Sequence, residues 1–159
     1  MTYYASDEEF KGGTRGVIQR YGYPVNLSIG ADGRVLAVLP DLPGAATDGG
    51  DRAEALVEAA DCLEEALAGY IDRREPIPAP SPARGRPVVT PGAMVTAKAA
   101  LYSTMREQAV TNTPLARRLG CAEGEVRRML DPRHPTKIGR LETALAALGR
   151  RLIVGVGAA

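Results

Sequence analysis

Tryptophan is absent from this chain, phenylalanine and histidine occur once each, and there are two cysteines among 159 residues. Each scarcity removes a class of answer. Without large aromatics the core has to be built from Leu, Val, Ile and Ala. Cys62 and Cys121 lie too far apart for a compact disulfide framework or a zinc site, and each sits in a helical pattern as a small core residue. His134, in a Pro-flanked loop, reads as a surface residue or a phosphate contact rather than a catalyst. No apolar run is long enough to span a membrane, and residues 1–19 carry no signal-peptide pattern, so a cytoplasmic protein with no membrane partner is expected. There is no nucleophile–base pair, and Gly12-Gly13 and Gly49-Gly50 lack the pattern of a phosphate-cradling loop.

Charge is plentiful and unevenly placed. Residues 1–80 carry 14 Asp and Glu against 7 Lys and Arg, a net of −7, whereas residues 81–159 carry 13 Lys and Arg against 5 Asp and Glu, a net of +8. Such asymmetry points to different partners for the two halves. The basic half suits a polyanion, through phosphate contacts and counterion release. The acidic half suits a basic protein.

Residues 1–21 show no periodicity and form an N-terminal extension, in which Tyr3, Tyr4 and Phe10 stand beside Asp7-Glu8-Glu9 as a docking segment or a plain tail. Val25, Leu27 and Ile29 then alternate with polar or small residues, predicting a half-buried strand. Asp32-Gly33 is a hairpin signal. Val35–Leu39 is continuously apolar, predicting a strand covered on both faces. Pro40-Asp41-Leu42-Pro43-Gly44 stops that strand and reverses the chain. Ala45–Asp48 predicts a third strand. Asp51 and Glu54 stand at capping-box spacing before a helix from Arg52 to about Arg74, whose apolar stripe reads Ala53, Leu56, Ala60, Leu63, Leu67 and Tyr70. The prolines from Pro76 to Pro82 predict a stiff connector over residues 76–92, with a short strand at Val88-Val89-Thr90. Helices follow: Ala93–Ala109, with Ala97, Leu101 and Met105 on one face, then Thr111–Leu119, Glu123–Leu130 and Lys137–Leu148. The apolar run Leu152–Val156 is a candidate dimer strand or a core strand of its own subunit.

A hairpin, a third strand and a long helix also begin a ribonuclease H-like fold, whose nucleases need carboxylates converging on two metals. Here the first strand offers Asn26 and Ser28, Asp32 sits in the turn, and Asp41 stands alone between prolines. Helix capping accounts for Asp48, Asp51 and Glu54. No enzyme, catalytic residue, cofactor or metal is therefore expected.

The stretch TNTPLARRLGCAEGEVRRML is the sharpest chemically. Thr111 is placed to cap a first helix, Leu115, Ala116 and Leu119 supply its inner face, and Gly120 allows a tight turn with Cys121 buried in it. Val126, Met129 and Leu130 anchor a second helix. The segment resembles the Cro/repressor-like helix-turn-helix class, with the second helix in the major groove. By that resemblance Glu123, Gly124, Arg127 and Arg128 face DNA, Arg127 or Arg128 contacting guanine. Asn112, Thr113 and Arg117 make backbone-positioning contacts, and Arg133 and Lys137 reach phosphate.

The run YPVNLSIGADGRVLAVLPDLPGAATDGGDRAEALVEAADCLEEAL, followed by EPIPAPS, resembles the HicB antitoxin domain over residues 22–82. With the helix-turn-helix ending in LETALAALGRRLIVGV, the likeness covers nearly all but the extension. It implies an α+β protein. A degenerate ribonuclease H-like β-β-β-α-β domain (22–75), the Pro-rich connector (76–92) and an all-α helix-turn-helix domain for DNA binding and dimerisation (93–159) would follow one another. It further implies an antitoxin that masks a HicA-like mRNA-cleaving toxin and represses its own operon at operator DNA, as a homodimer or higher oligomer. The expected toxin-facing residues are Asp41, Leu42, Glu54, Glu58 and Asp61. The alternative is a stand-alone helix-turn-helix transcription regulator whose first domain senses a ligand or binds a protein.

Overall fold

A computed structural model describes residues 21–153. The elements run β1 (Tyr23–Pro24), β2 (Asn26–Ile29), β3 (Val35–Val38), β4 (Ala46–Gly49), α1 (Arg52–Asp72), β5 (Val88–Val89), α2 (Ala93–Glu107), α3 (Asn112–Leu119), α4 (Glu123–Leu130) and α5 (Ile138–Ala146), a mixed α+β architecture. Residues 1–20 of the extension, and residues 154–156 of the candidate dimer strand, lie outside the described part, whereas Tyr21, assigned to the extension, packs in the core of the first unit. Leu152 packs half-buried against the helical core and Ile153 is exposed, neither in a strand.

β2, β3 and β4 form an antiparallel three-stranded sheet with Leu27 opposite Ala37 and Ala37 opposite Thr47. The β2–β3 loop is longer than the two-residue Asp-Gly turn. Gly33 N–H donates to Gly30 O and Gly30 N–H to Arg34 O, with Gly33 at φ +83° in the left-handed region that glycine tolerates. β3 ends where the prolines require, and Leu39 and Leu42 drop into the core, each 1% exposed. One expectation fails here. β3 is covered on one face only: Ala37 is buried while Leu36, 40% exposed, looks outward, because α1 is the one helix laid along this sheet.

The α1 cap forms as its spacing predicts, with Asp51 Oδ1 accepting from Glu54 N–H at 2.9 Å and Glu54 Oε2 from Gly50 N–H. Its buried stripe is Ala55, Ala59, Leu63, Leu67 and Ile71, rotated from the predicted one. Ala53 is exposed, and Leu56, Ala60 and Tyr70 only flank the core. The cause is proximity to β4: a Cβ on Gly49 would lie 2.8 Å from the Ala55 Cα, so small residues must face the sheet.

The proline-rich segment is not a spacer standing clear of the two units. It straps the first one. β5 pairs antiparallel with β1, Tyr23 OH donates to Pro78 O at 2.7 Å, and Ser81 donates to Asp41 Oδ2 through both N–H and hydroxyl at 2.9 and 3.0 Å. α2 then joins two cores. Ala99, with Val95 and Ala100, packs on the sheet–α1 core, while Ala97, Leu101 and Met105 belong to the core of α3, α4 and α5.

Candidate functional site

α3 and α4 meet across a tight turn. Gly120 sits at φ 62° ψ 34°, its N–H reaching Arg117 O, and Cys121 N–H returns to Ala116 O at 3.0 Å. Cys121 is half-buried rather than fully buried. Thr111 holds the cap position of α3 without a side-chain cap bond, and Pro114 removes one of the two amides such a cap can accept from. Leu115, Ala116, Val126 and Met129 bury the facing sides, so the arginines point outward.

The nine residues expected at DNA fall into groups. Asn112 Nδ2 donates to Glu123 Oε1 at 3.1 Å and Arg127 to Glu123 Oε2 at 2.7 Å, so these three form one network bridging α3 and α4. The Asn112 hydrogen bond, then that of Arg127, holds the Glu123 carboxyl below its ordinary value. With Thr113 they line a cleft of about 850 Å³ whose other walls include Met105, Leu130 and Asp72. Arg128 and Lys137 line a separate pocket of about 170 Å³. Arg117 is exposed on the outer side of α3, and Gly124 has open space around it. Arg133 is placed apart from the rest: its guanidinium spans Asp72 at 2.7 Å and Glu65 at 3.4 Å on α1.

Two residues here escaped the sequence. Arg140, three positions after Lys137 on the same helical face, enters the smaller pocket and pairs with Glu125 at 2.5 Å. Lys98 is fully buried and donates to the carbonyls of Asp131 and His134 at 2.5 Å each, fastening the loop after α4 to α2. Its periodic position in α2 was the available signal.

The five toxin-facing candidates also separate. Leu42 belongs to the core, Asp41 is committed to Ser81 and Glu54 to the helix cap. Glu58 and Asp61 lie exposed on the outer face of α1 beside Val57, which is 64% exposed, and no ion pair engages either carboxylate among the described residues. That outer face and the open face of the sheet are the surfaces the first unit offers. Among the described residues no group of three or more His, Cys, Asp or Glu comes together to hold a metal, and no helix is long and apolar enough to cross a membrane.

A family model described as HicB-like antitoxin of bacterial toxin–antitoxin systems matches residues 22–100, the sheet, α1, the strap and the first half of α2. Antitoxin HicB 1 of Photorhabdus laumondii is 34% identical over 142 residues, covering 89% of this chain and 91% of that protein. Antitoxin HicB of Escherichia coli K12 is 34% identical over 82% of this chain and 95% of its own length, and antitoxin HicB of Pseudomonas fluorescens 35% identical over 90% and 97%.

Proposed function

The chain belongs to the HicB-like antitoxin family of bacterial toxin–antitoxin systems, whose members are antitoxins and not enzymes, and from that premise we propose a protein that binds two kinds of partner at its two ends. The first unit, a degenerate ribonuclease H-like domain in this reading, covers a small basic HicA-like toxin and blocks its RNA site. The second, a helix-turn-helix, binds operator DNA and represses the operon from which both proteins are made. Both tasks place it in the cytoplasm.

One observation carries the reading: a single chain presents an acidic outer face on α1 and a basic face across α3, α4 and α5. Opposite charge steers a basic toxin to Glu58 and Asp61, and steers phosphate to Arg117, Arg128 and Lys137. An operator read by two recognition helices about one DNA turn apart requires at least a homodimer. Within α4, Arg127 and Arg128 are the candidates for base contact. Glu123, already engaged by Asn112 and Arg127, orients Arg127.

The test uses the full chain. Added to a HicA-like toxin cleaving RNA, it is expected to abolish cleavage at a stoichiometric ratio, and the Glu58→Lys/Asp61→Lys double variant to lose that inhibition while still binding DNA. Cleavage persisting in excess chain, with DNA binding intact, would make it an ordinary transcription regulator instead.

A further inference from the structure

The smaller of the two cavities, about 170 Å³, opens where the second half of α4, the loop after it and the first turn of α5 converge. Its walls include Arg128, His134, Thr136, Lys137 and Arg140, with Glu125 the one carboxylate. Glu125 holds the Arg140 guanidinium at 2.5 Å and so fixes its direction. No ion pair engages Arg128 or Lys137 among the described residues. His134 Nδ1, in the same wall, is the one buried side-chain polar atom with no hydrogen-bond partner among the described residues. Orphaned buried polar atoms are costly and rare, and they call for a partner.

We propose that this pocket takes a single phosphate group. Three cations against one carboxylate give it the charge for a tetrahedral anion. The volume is below the roughly 300–1,000 Å³ typical of small-molecule pockets, which disfavours a whole nucleotide. Arginine and lysine are the side chains that pair with phosphate oxygens, and a His134 Nδ1–H would supply a further donor. Lys137 caps α5 with no side-chain cap bond of its own, so the first amides of that helix add to the positive end of the site. The phosphate has two sources: free inorganic phosphate, or a backbone phosphate of DNA. In the second case the proposal rests on the DNA-binding reading above. The pocket then fixes the C-terminal half of α4 against the sugar–phosphate backbone and sets the depth and register of the recognition helix without reading sequence itself.

The experiment has two arms, both on the full chain. In the first, duplex binding is measured against salt for the natural chain, Lys137→Gln and Lys137→Gln/Arg140→Gln, on DNA from upstream of its own gene and on a shuffled duplex. The slope of log K against log salt is expected to fall by about 0.9 for one lost phosphate contact, by the same amount on both duplexes. An unchanged slope, or a loss confined to one sequence, rules out a DNA backbone phosphate as the occupant and leaves free phosphate to the second arm. Lys137→Gln alone removes no ion pair, so a slope change in that variant does not reflect misfolding. In the second arm, inorganic phosphate is titrated at constant ionic strength and followed by NMR. Saturable shifts at His134, Lys137 and Arg140, lost in the double variant, support the site, and their absence with no slope change sinks it. A chain that binds no duplex refutes the DNA-binding reading, and the phosphate titration then decides the pocket by itself.

Discussion

Burial separates two cations that hold the same loop. Lys98 is fully buried and donates one hydrogen bond to each of the carbonyls of Asp131 and His134, whereas Arg133 makes its two ion pairs to α1 with a side chain 58% exposed. Exposed ion pairs are worth about 0–1 kcal/mol, so Arg133→Ala is expected to cost less than ~1 kcal/mol in urea unfolding. Lys98→Met takes the charged donor from both carbonyls, leaving them only the His134 N–H and Thr136 hydroxyl bonds, and is expected to cost about 2 kcal/mol. Equal losses would show that Lys98 is not the fastening. Glu123 makes a second point at this scale. Its folded-state pKa lies below the ordinary glutamate value, first through Asn112 and then through Arg127. A depressed carboxyl contributes its tie above the unfolded value and loses it as pH falls through the folded one. The NMR titration midpoint of Glu123 is therefore expected below the ordinary glutamate value, returning upward in Asn112→Ala. A midpoint at or above the ordinary value would mean the Asn112–Glu123 contact is not made in solution.

Glycines mark where elements approach closely and where they do not. An added Cβ at Gly49 would lie 2.8 Å from the Ala55 Cα and closer still to its nitrogen, while at Gly124 nothing lies within 4 Å. Backbone cannot rotate out of the way, so Gly49→Ala is expected to destabilise by about 3 kcal/mol, at the upper end for overpacking. Gly124→Ala, early in α4, gains helix propensity of about 0.5 kcal/mol. Thermal unfolding of both variants checks the pair, and a stable Gly49→Ala chain would contradict the β4–α1 packing. The same packing explains what the sequence shows and what it hides. Caps, prolines and turn glycines act locally, so the ends of β3, α1 and α3 can be read directly. The phase of the α1 stripe cannot, because hydrophobicity favours Leu56 and Tyr70 while the short distance to β4 selects Ala55 and Ala59. Nor can the one-sided burial of β3, or the return of the proline run onto Tyr23 and Asp41, which depend on partners distant in sequence. The arginines of α4 were legible from their spacing. The diversion of Arg133 to Asp72 and Glu65 was not, since it joins the two units.

At the scale of the whole molecule, α2 decides whether those units behave as one. It buries Ala99 in the sheet–α1 core and Ala97 and Leu101 in the helical core, while Tyr102 OH donates to Glu75 O at 2.8 Å at the end of α1. A helix that completes both cores cannot leave one without exposing apolar surface of the other, so unfolding is expected to be a single transition. The absence of tryptophan makes this measurable. Tyr21, Tyr23, Tyr70 and Tyr102 lie in or before α2, and α3, α4 and α5 contain no tyrosine. With Tyr3 and Tyr4 replaced by Phe, tyrosine emission follows the first unit and α2, and far-UV circular dichroism is weighted by all the helices. The two urea curves of the otherwise natural chain should coincide. Leu101→Ala should cost roughly 2–5 kcal/mol and move both midpoints together, although Leu101 belongs to the helical core. A shift confined to circular dichroism would mean the cores unfold separately. Under the proposed function, toxin and operator would then act on independent units, whereas coupled cores would transmit a change at α1 to α4 in both directions.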